Sequence, residues 1–210
     1  ELSSGAHFIG LVNQDTPVVS FKMAFLGGSR LEKDDQEGIT EALSRSWVSN
    51  TKNLSEPQIL ARLDELAAGI SAFGGRNTMG LTLTSLSPYL EDVMGLFSEV
   101  ILEPVFKENV VRREVTQMQE QLKNRKDNPA QICIRNFSKT MFENHPYRLD
   151  PLGNENTLRK FNADLIQNYL QEHITGKQLT IVGVGDFDFE ESCKYFDRLT
   201  TQLPDRILKS

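Results

Sequence analysis

What most constrains this chain is the order in which strand-like and helix-like periodicities follow one another. Residues 5 to 12 and 17 to 26 read as two strands. The stretch from Val18 to Phe25 is rich in β-branched and aromatic residues, and Asn13 to Pro17 supplies the turn. A helix is predicted from about Asp35 to Ser49, with Ile39, Leu43 and Trp47 on one face. Ser55 as N-cap, Pro57 in the first turn and Gln58 three residues after the cap open a second helix, which stops near Gly69. Residues 70 to 73 and 79 to 84 return to the two-residue period of strands, across Gly74-Gly75-Arg76-Asn77. Helices follow from Ser87-Pro88 to Pro104, from 107 to 126 (stripe Val111, Val115, Met118, Leu122), from Pro129 (Ile132, Phe137, Met141) and from Asn162 to Gly176. A buried-type strand, Leu179 to Val184, and a helix from Phe189 to Leu199 close the chain. Helices grouped between strand pairs, without regular β-α-β alternation, predict an α+β fold: a two-layer sandwich of a mainly antiparallel sheet packed with helices, formed by residues 1–210 as one domain.

Composition narrows the function classes. With 39% hydrophobic residues among 210, the chain can bury a real core. The net charge of -6 is spread along the sequence, and no basic block exceeds Arg112-Arg113, which argues against nucleic acid as a partner. Cys133 and Cys193 have neither disulfide-framework nor metal-ligand spacing and read as ordinary buried or half-buried thiols. No apolar run approaches the roughly 18 residues of a bilayer span, so no membrane partner is expected. The chain begins with Glu1 rather than Met, which suggests a piece of a longer precursor. Its acidic balance and sparse cysteine suit cytoplasm, periplasm and organelle matrix equally.

The segment Gly38 to Trp47 holds the main chemical clue. An inverted zinc motif, His-x-x-Glu-His, places two imidazoles and a general base on one helix, with a third ligand from a second helix downstream. Here Glu41, Ser44 and Arg45 stand in that frame. A guanidinium stays protonated and has no lone pair to give a cation.

Six segments in order carry a family resemblance: Pro17 to Phe25, Gly28-Ser29-Arg30-Leu31-Glu32, Gly38, Glu103-Pro104-Val105-Phe106, Asn144-His145-Pro146-Tyr147 followed by Gly153, and Thr180 to Asp188. No one of them is specific, but together and in this order the chain resembles a homology domain of the pitrilysin/insulinase family of inverted-motif zinc peptidases. The resemblance puts Glu41 and Arg45 at the ligand histidines, Ser44 at the general base and Gln121 at the ligand carboxylate of the long helix. Glu114, two turns earlier, keeps an acidic position. It implies no catalytic residue and no metal ligand in this segment, and a salt bridge from Arg45 to Glu41 (i, i+4) or to Glu114 in place of the metal.

Such families pair a zinc-bearing half with a degenerate one around a peptide chamber. The chain then looks like the first domain of the inactive half. The resemblance implies a non-catalytic chamber wall that confines a peptide substrate, with zinc expected only in the partner half, in the same chain or in another subunit. The parent protein or complex is then a zinc metalloendopeptidase. The alternative is a structural or assembly subunit without a proteolytic role, like the respiratory core proteins. The family's arginine-tyrosine peptide grip lies in the following domain and does not transfer to Tyr147-Arg148.

Other constellations read as structure. His7, His145 and His173 are not spaced for shared ligation, and His173 is expected as favourable charge company at a helix C-terminus. Ser44, Ser46 and Ser49 have no histidine nearby to act as base. Gly183-Val184-Gly185-Asp186 lacks the third glycine of a nucleotide loop, and Asp188, Glu190 and Glu191 would repel a phosphate, so a strand-to-helix turn is predicted. Gly74-Gly75-Arg76 reads as a tight strand connection, and residues 114 to 121 as a solvated helix face.

Overall fold

The computed structural model describes residues 1–125 and 127–208. Five strands, β1 (His7–Val12), β2 (Val18–Leu26), β3 (Gly69–Gly74), β4 (Thr78–Leu86) and β5 (Leu179–Gly185), form one sheet in the order β1-β5-β2-β4-β3. Only the β1–β5 pairing is parallel; β2 lies antiparallel between β4 and β5, and β3 pairs antiparallel with β4 at the opposite edge from β1. The helices are α1 (Ile39–Ser46), α2 (Glu56–Glu65), α3 (Leu90–Leu102), α4 (Glu108–Arg125), α5 (Pro129–Met141), α6 (Glu155–Leu158), α7 (Ala163–His173) and α8 (Phe189–Thr200).

The alternation in the strands decides which face is covered. Val19, Phe21, Met23 and Phe25 of β2, Met79, Leu81 and Leu83 of β4, and Leu179 and Ile181 of β5 are all buried on one face, where the helices pack. The opposite face is open. Ile9 lies beside Val182 and Leu11 beside Val184, and all four remain well exposed. The expected mainly antiparallel two-layer α+β sandwich is what forms.

At one end of the core Phe21 packs edge-on against Phe187 and Phe196, with centroids 5.0 Å away in both cases. Gly183 makes room for this cluster: a Cβ there would lie 2.5 Å from the Phe21 ring. At the other end Trp47 stacks near Phe25 under α3.

Two expectations, the start of the first helix and the burial of Cys133, need correction. The first helix begins at Ile39, not near Asp35, because Gly38 holds φ at +94 and a Cβ there would meet the Gly153 backbone at 2.6 Å. Residues 28–31 and 34–36 form short 3-10 turns ahead of it. α5 keeps its helical spacing but buries no residue: Ile134, Phe137 and Met141 are each more than 60% exposed. Cys133, on that same helix, is therefore exposed rather than buried or half-buried, while Cys193 is half-buried.

The capping box of α2 forms as Ser55 and Gln58 predict. The connection at Gly74 to Asn77 is the tight turn between β3 and β4, and Gly185, at φ +123, turns β5 toward α8, which Asp188 caps through its side chain.

Candidate functional site

α1 is short, and its first turn is fixed from outside the helix. The carboxylate of Glu32 accepts hydrogen bonds from the backbone N–H groups of Gly38 and Thr40, both at 2.9 Å. These are donors that a helix N-terminus leaves without intrahelical partners. Burial nevertheless dominates and pushes the Glu32 pKa up to about 7, with nearby Glu37 adding to the rise. A raised pKa means that the folded state holds the proton more tightly than the unfolded chain. The contribution is complete below the unfolded value of 4.5 and is lost as pH rises through about 7. That displacement corresponds to about 3 kcal/mol. Thermal unfolding should therefore show stability falling between pH 4.5 and 7, and Glu32→Gln should flatten that dependence. An unchanged slope in the variant would assign the dependence to another group.

On the exposed side of α1, Arg45 folds back on Glu41 one turn earlier. Its Nε and Nη2 both lie 2.7 Å from the same carboxylate oxygen. Nη2 also donates to the side-chain oxygen of Gln121 on α4 at 2.9 Å. The pair is partly shielded, with side chains 21% and 27% exposed. Glu41, Arg45 and Gln121 thus converge across two helices 76 residues apart in sequence.

The other two candidate positions do not join them. The Ser44 hydroxyl donates to the backbone carbonyl of Glu41 at 2.9 Å, a local bond within the helix. Glu114 accepts from Arg113 Nε at 2.9 Å, and Arg113 also forks onto both oxygens of Glu56 at 2.8 and 3.0 Å. Of the two partners expected for Arg45, Glu41 is therefore the one it takes. Hydrogen bonding from Arg113 holds the Glu56 carboxyl below its usual range. Glu56 and Arg45 both border a shallow cavity of about 320 Å³ against the edge strand β3, lined also by Ile70 and Ala72. The Arg113 bridge between α2 and α4 was not legible in sequence, since its partners are 57 residues apart and α2 shows only an ordinary acidic first turn.

This donor set does not fit zinc. A catalytic zinc takes three donor groups and keeps an open position beside a base. Here one carboxylate and one amide oxygen are already engaged by a guanidinium, whose charge would repel a dication. Among the described residues no group of three or more His, Cys, Asp or Glu side chains converges elsewhere.

The histidines are dispersed. His7 is exposed in β1, and His145 Nδ1 accepts from the Tyr147 N–H at 3.2 Å. His173 ends α7 but stacks on Tyr169 and shares a hydrogen bond with its backbone carbonyl. Burial lowers its pKa, so it serves as a neutral packed ring rather than as a charge at the helix terminus.

Fold and site together define a mainly antiparallel α+β domain in which an arginine bridges two helices, with no metal-binding cluster among the described residues. The chain belongs to the insulinase family, peptidase family M16, which matches residues 9–154. It is 23% identical to an uncharacterized zinc protease of Rickettsia bellii over 84% of this chain and 43% of that protein. It is 21% identical to the non-peptidase homolog YmxG of Helicobacter pylori, over 91% of this chain and 44% of that one. The crystal structure of a peptidase M16 inactive domain from Pseudomonas fluorescens superposes with a TM-score of 0.93 at 18% identity, covering all of this chain and 51% of the other. The chain thus spans about half the length of the relatives it matches. No helix among the described residues is long and apolar enough to cross a membrane.

Proposed function

We propose that this chain is a single M16 homology domain of the non-catalytic kind, in which Glu41, Ser44, Arg45 and Gln121 are the degenerate counterparts of a zinc site and Glu114 its surviving acidic neighbour. The observation that carries this reading is the Arg45 guanidinium bound to Glu41 and Gln121 on the two helices where metal ligands would stand. A domain with that contact cannot make a zinc hydroxide there, so its own contribution to proteolysis is surface and shape. Its partner is a zinc-bearing homologous half, in the same chain or in a second subunit, and this domain forms part of the wall that confines a peptide. The edge strand β3, beside the Arg45 cavity, is suited to pair with an extended peptide by strand addition. Similarity to an M16 inactive domain and to a non-peptidase homolog supports the reading.

The test has two arms. Elemental analysis of purified protein is expected to find no stoichiometric zinc, and one tightly held zinc per chain would overturn the assignment. Mixing the full-length parent with a zinc-bearing half is expected to raise peptide cleavage above that of the half alone. No gain would favour a structural or assembly role.

A further inference from the structure

A cluster of positive charge lies away from Arg45. The β3–β4 turn, the C-terminal end of α4, α5 and the segment from 148 to 151 enclose a pocket of about 470 Å³. Four arginines border it: Arg76, Arg125, Arg135 and Arg148. Among the described residues the one acidic side chain in the wall is Asp150, whose carboxylate is 7% exposed and is shared by two of them. Arg125 reaches it at 3.1 Å and Arg135 at 3.6 Å. Arg76 donates to the Tyr147 carbonyl at 3.1 Å and lies over the Tyr147 ring, while Arg148 pairs with Asp34 outside the pocket wall. Counting both carboxylates, four guanidinium groups face two, an excess of positive charge in a chain of net charge -6.

Apart from Gln131 and Ser138, the remaining lining is apolar. Leu122, Ile132, Ile134, Leu149 and Pro151 complete the wall. From its mouth Ile134, Phe137 and Met141 continue along α5 at helical spacing, each more than 60% exposed. A volume of about 470 Å³ is in the range of organic ligand sites and far exceeds what one small anion fills. Guanidinium forks select planar carboxylates in two-point contact.

From this charge complementarity and the apolar ledge we infer that the pocket binds a peptide segment in which a carboxylate is followed by large apolar side chains. The carboxylate enters between Arg76 and Arg135 and the apolar residues lie over Ile134 and Phe137. The site is separate from the Arg45 contact. Zinc analysis reads one and peptide affinity reads the other, so either reading can fail without the other.

The experiment is a fluorescence-anisotropy titration of the protein with a labelled peptide carrying glutamate followed by leucine and phenylalanine. The same peptide with glutamine, and inorganic phosphate as competitor, are run alongside. The acidic peptide should bind at least tenfold more tightly than the glutamine peptide, and more weakly as salt is raised. Arg135→Gln should weaken it about tenfold. Phe137→Ser, at a side chain that packs against no core, should weaken it several-fold with the thermal midpoint unchanged and so remains informative if Arg135→Gln fails to fold. Equal affinity for the glutamine peptide, indifference to Phe137→Ser, or displacement by phosphate at equal concentration would each overturn the proposal. The last would make the pocket a simple anion site.

Discussion

Replacing Trp47 with alanine is expected to destabilise the fold by about 3–5 kcal/mol, the usual cost of emptying an aromatic core position. For a chain of this size that lowers the thermal midpoint by about 10 °C. Trp47 is 1% exposed and stacks near Phe25 with ring centroids 6.2 Å apart. It also carries a hydrogen bond with a specific reason to exist. Its indole N–H donates to the carbonyl of Val100 at 3.2 Å. In a helix that carbonyl would accept from the residue four positions on, but here that residue is Pro104, which has no N–H to give. The proline that ends α3 creates an orphan acceptor, and the tryptophan that ends α1 fills it. Trp47→Phe should then cost about 1–2 kcal/mol, less than alanine, because packing survives and only the buried carbonyl loses its partner. Denaturant melts of the wild type and both variants check the order. A phenylalanine variant as unstable as the alanine one would show that the hydrogen bond both variants lose, not the aromatic packing, sets the cost.

That contact also shows where sequence reading stops. The periodicity of Ile39, Leu43 and Trp47 marks Trp47 as a core residue, and Pro104 marks a helix end. Neither shows that the two meet, since 53 residues separate Trp47 from Val100. Local signals were legible: the Ser55–Gln58 capping box, the β-rich composition of β2, the alternation of β4, and the turn after Gly185. The start of α1 was not, because what delays it is the Gly153 backbone pressed against Gly38 from a distant loop. For α5 the spacing marks the helix but not its surroundings: the apolar side chains stay exposed beside the arginine-lined pocket, since periodicity reports that a face is apolar and not what covers it. At the candidate site the sequence offered Glu41 and Glu114 as partners for Arg45, whereas its bond to Gln121 and the capture of Glu114 by Arg113 required coordinates.

The largest change within reach is the return of the metal. If Glu41, Ser44, Arg45 and Gln121 occupy the former zinc positions, then Glu41→His, Ser44→Glu, Arg45→His and Gln121→Glu together should give a chain that binds one zinc, from a starting point of no stoichiometric binding. The geometry favours this outcome because positions 41 and 45 share one face of α1, and position 121 of α4 already lies within hydrogen-bond reach of position 45. Two imidazoles and a carboxylate supply the three donors a catalytic zinc needs, with the carboxylate at position 44 beside them as base. Removal of Arg45 is the decisive part of the set. With the guanidinium retained, one imidazole is missing, the positive charge opposes the dication, and its donors compete for the carboxylate introduced at position 121. The triple variant that keeps Arg45 should therefore bind at least a hundredfold more weakly than the quadruple one, as read by equilibrium dialysis against buffered zinc. Stabilisation of the quadruple variant by zinc in a thermal melt gives an independent readout, since a ligand that binds only the folded state raises its stability by mass action. A folded quadruple variant that takes up no zinc would show that these four positions do not form the frame of a metal site. The Arg45–Glu41–Gln121 contact would then be a surface ion pair like any other.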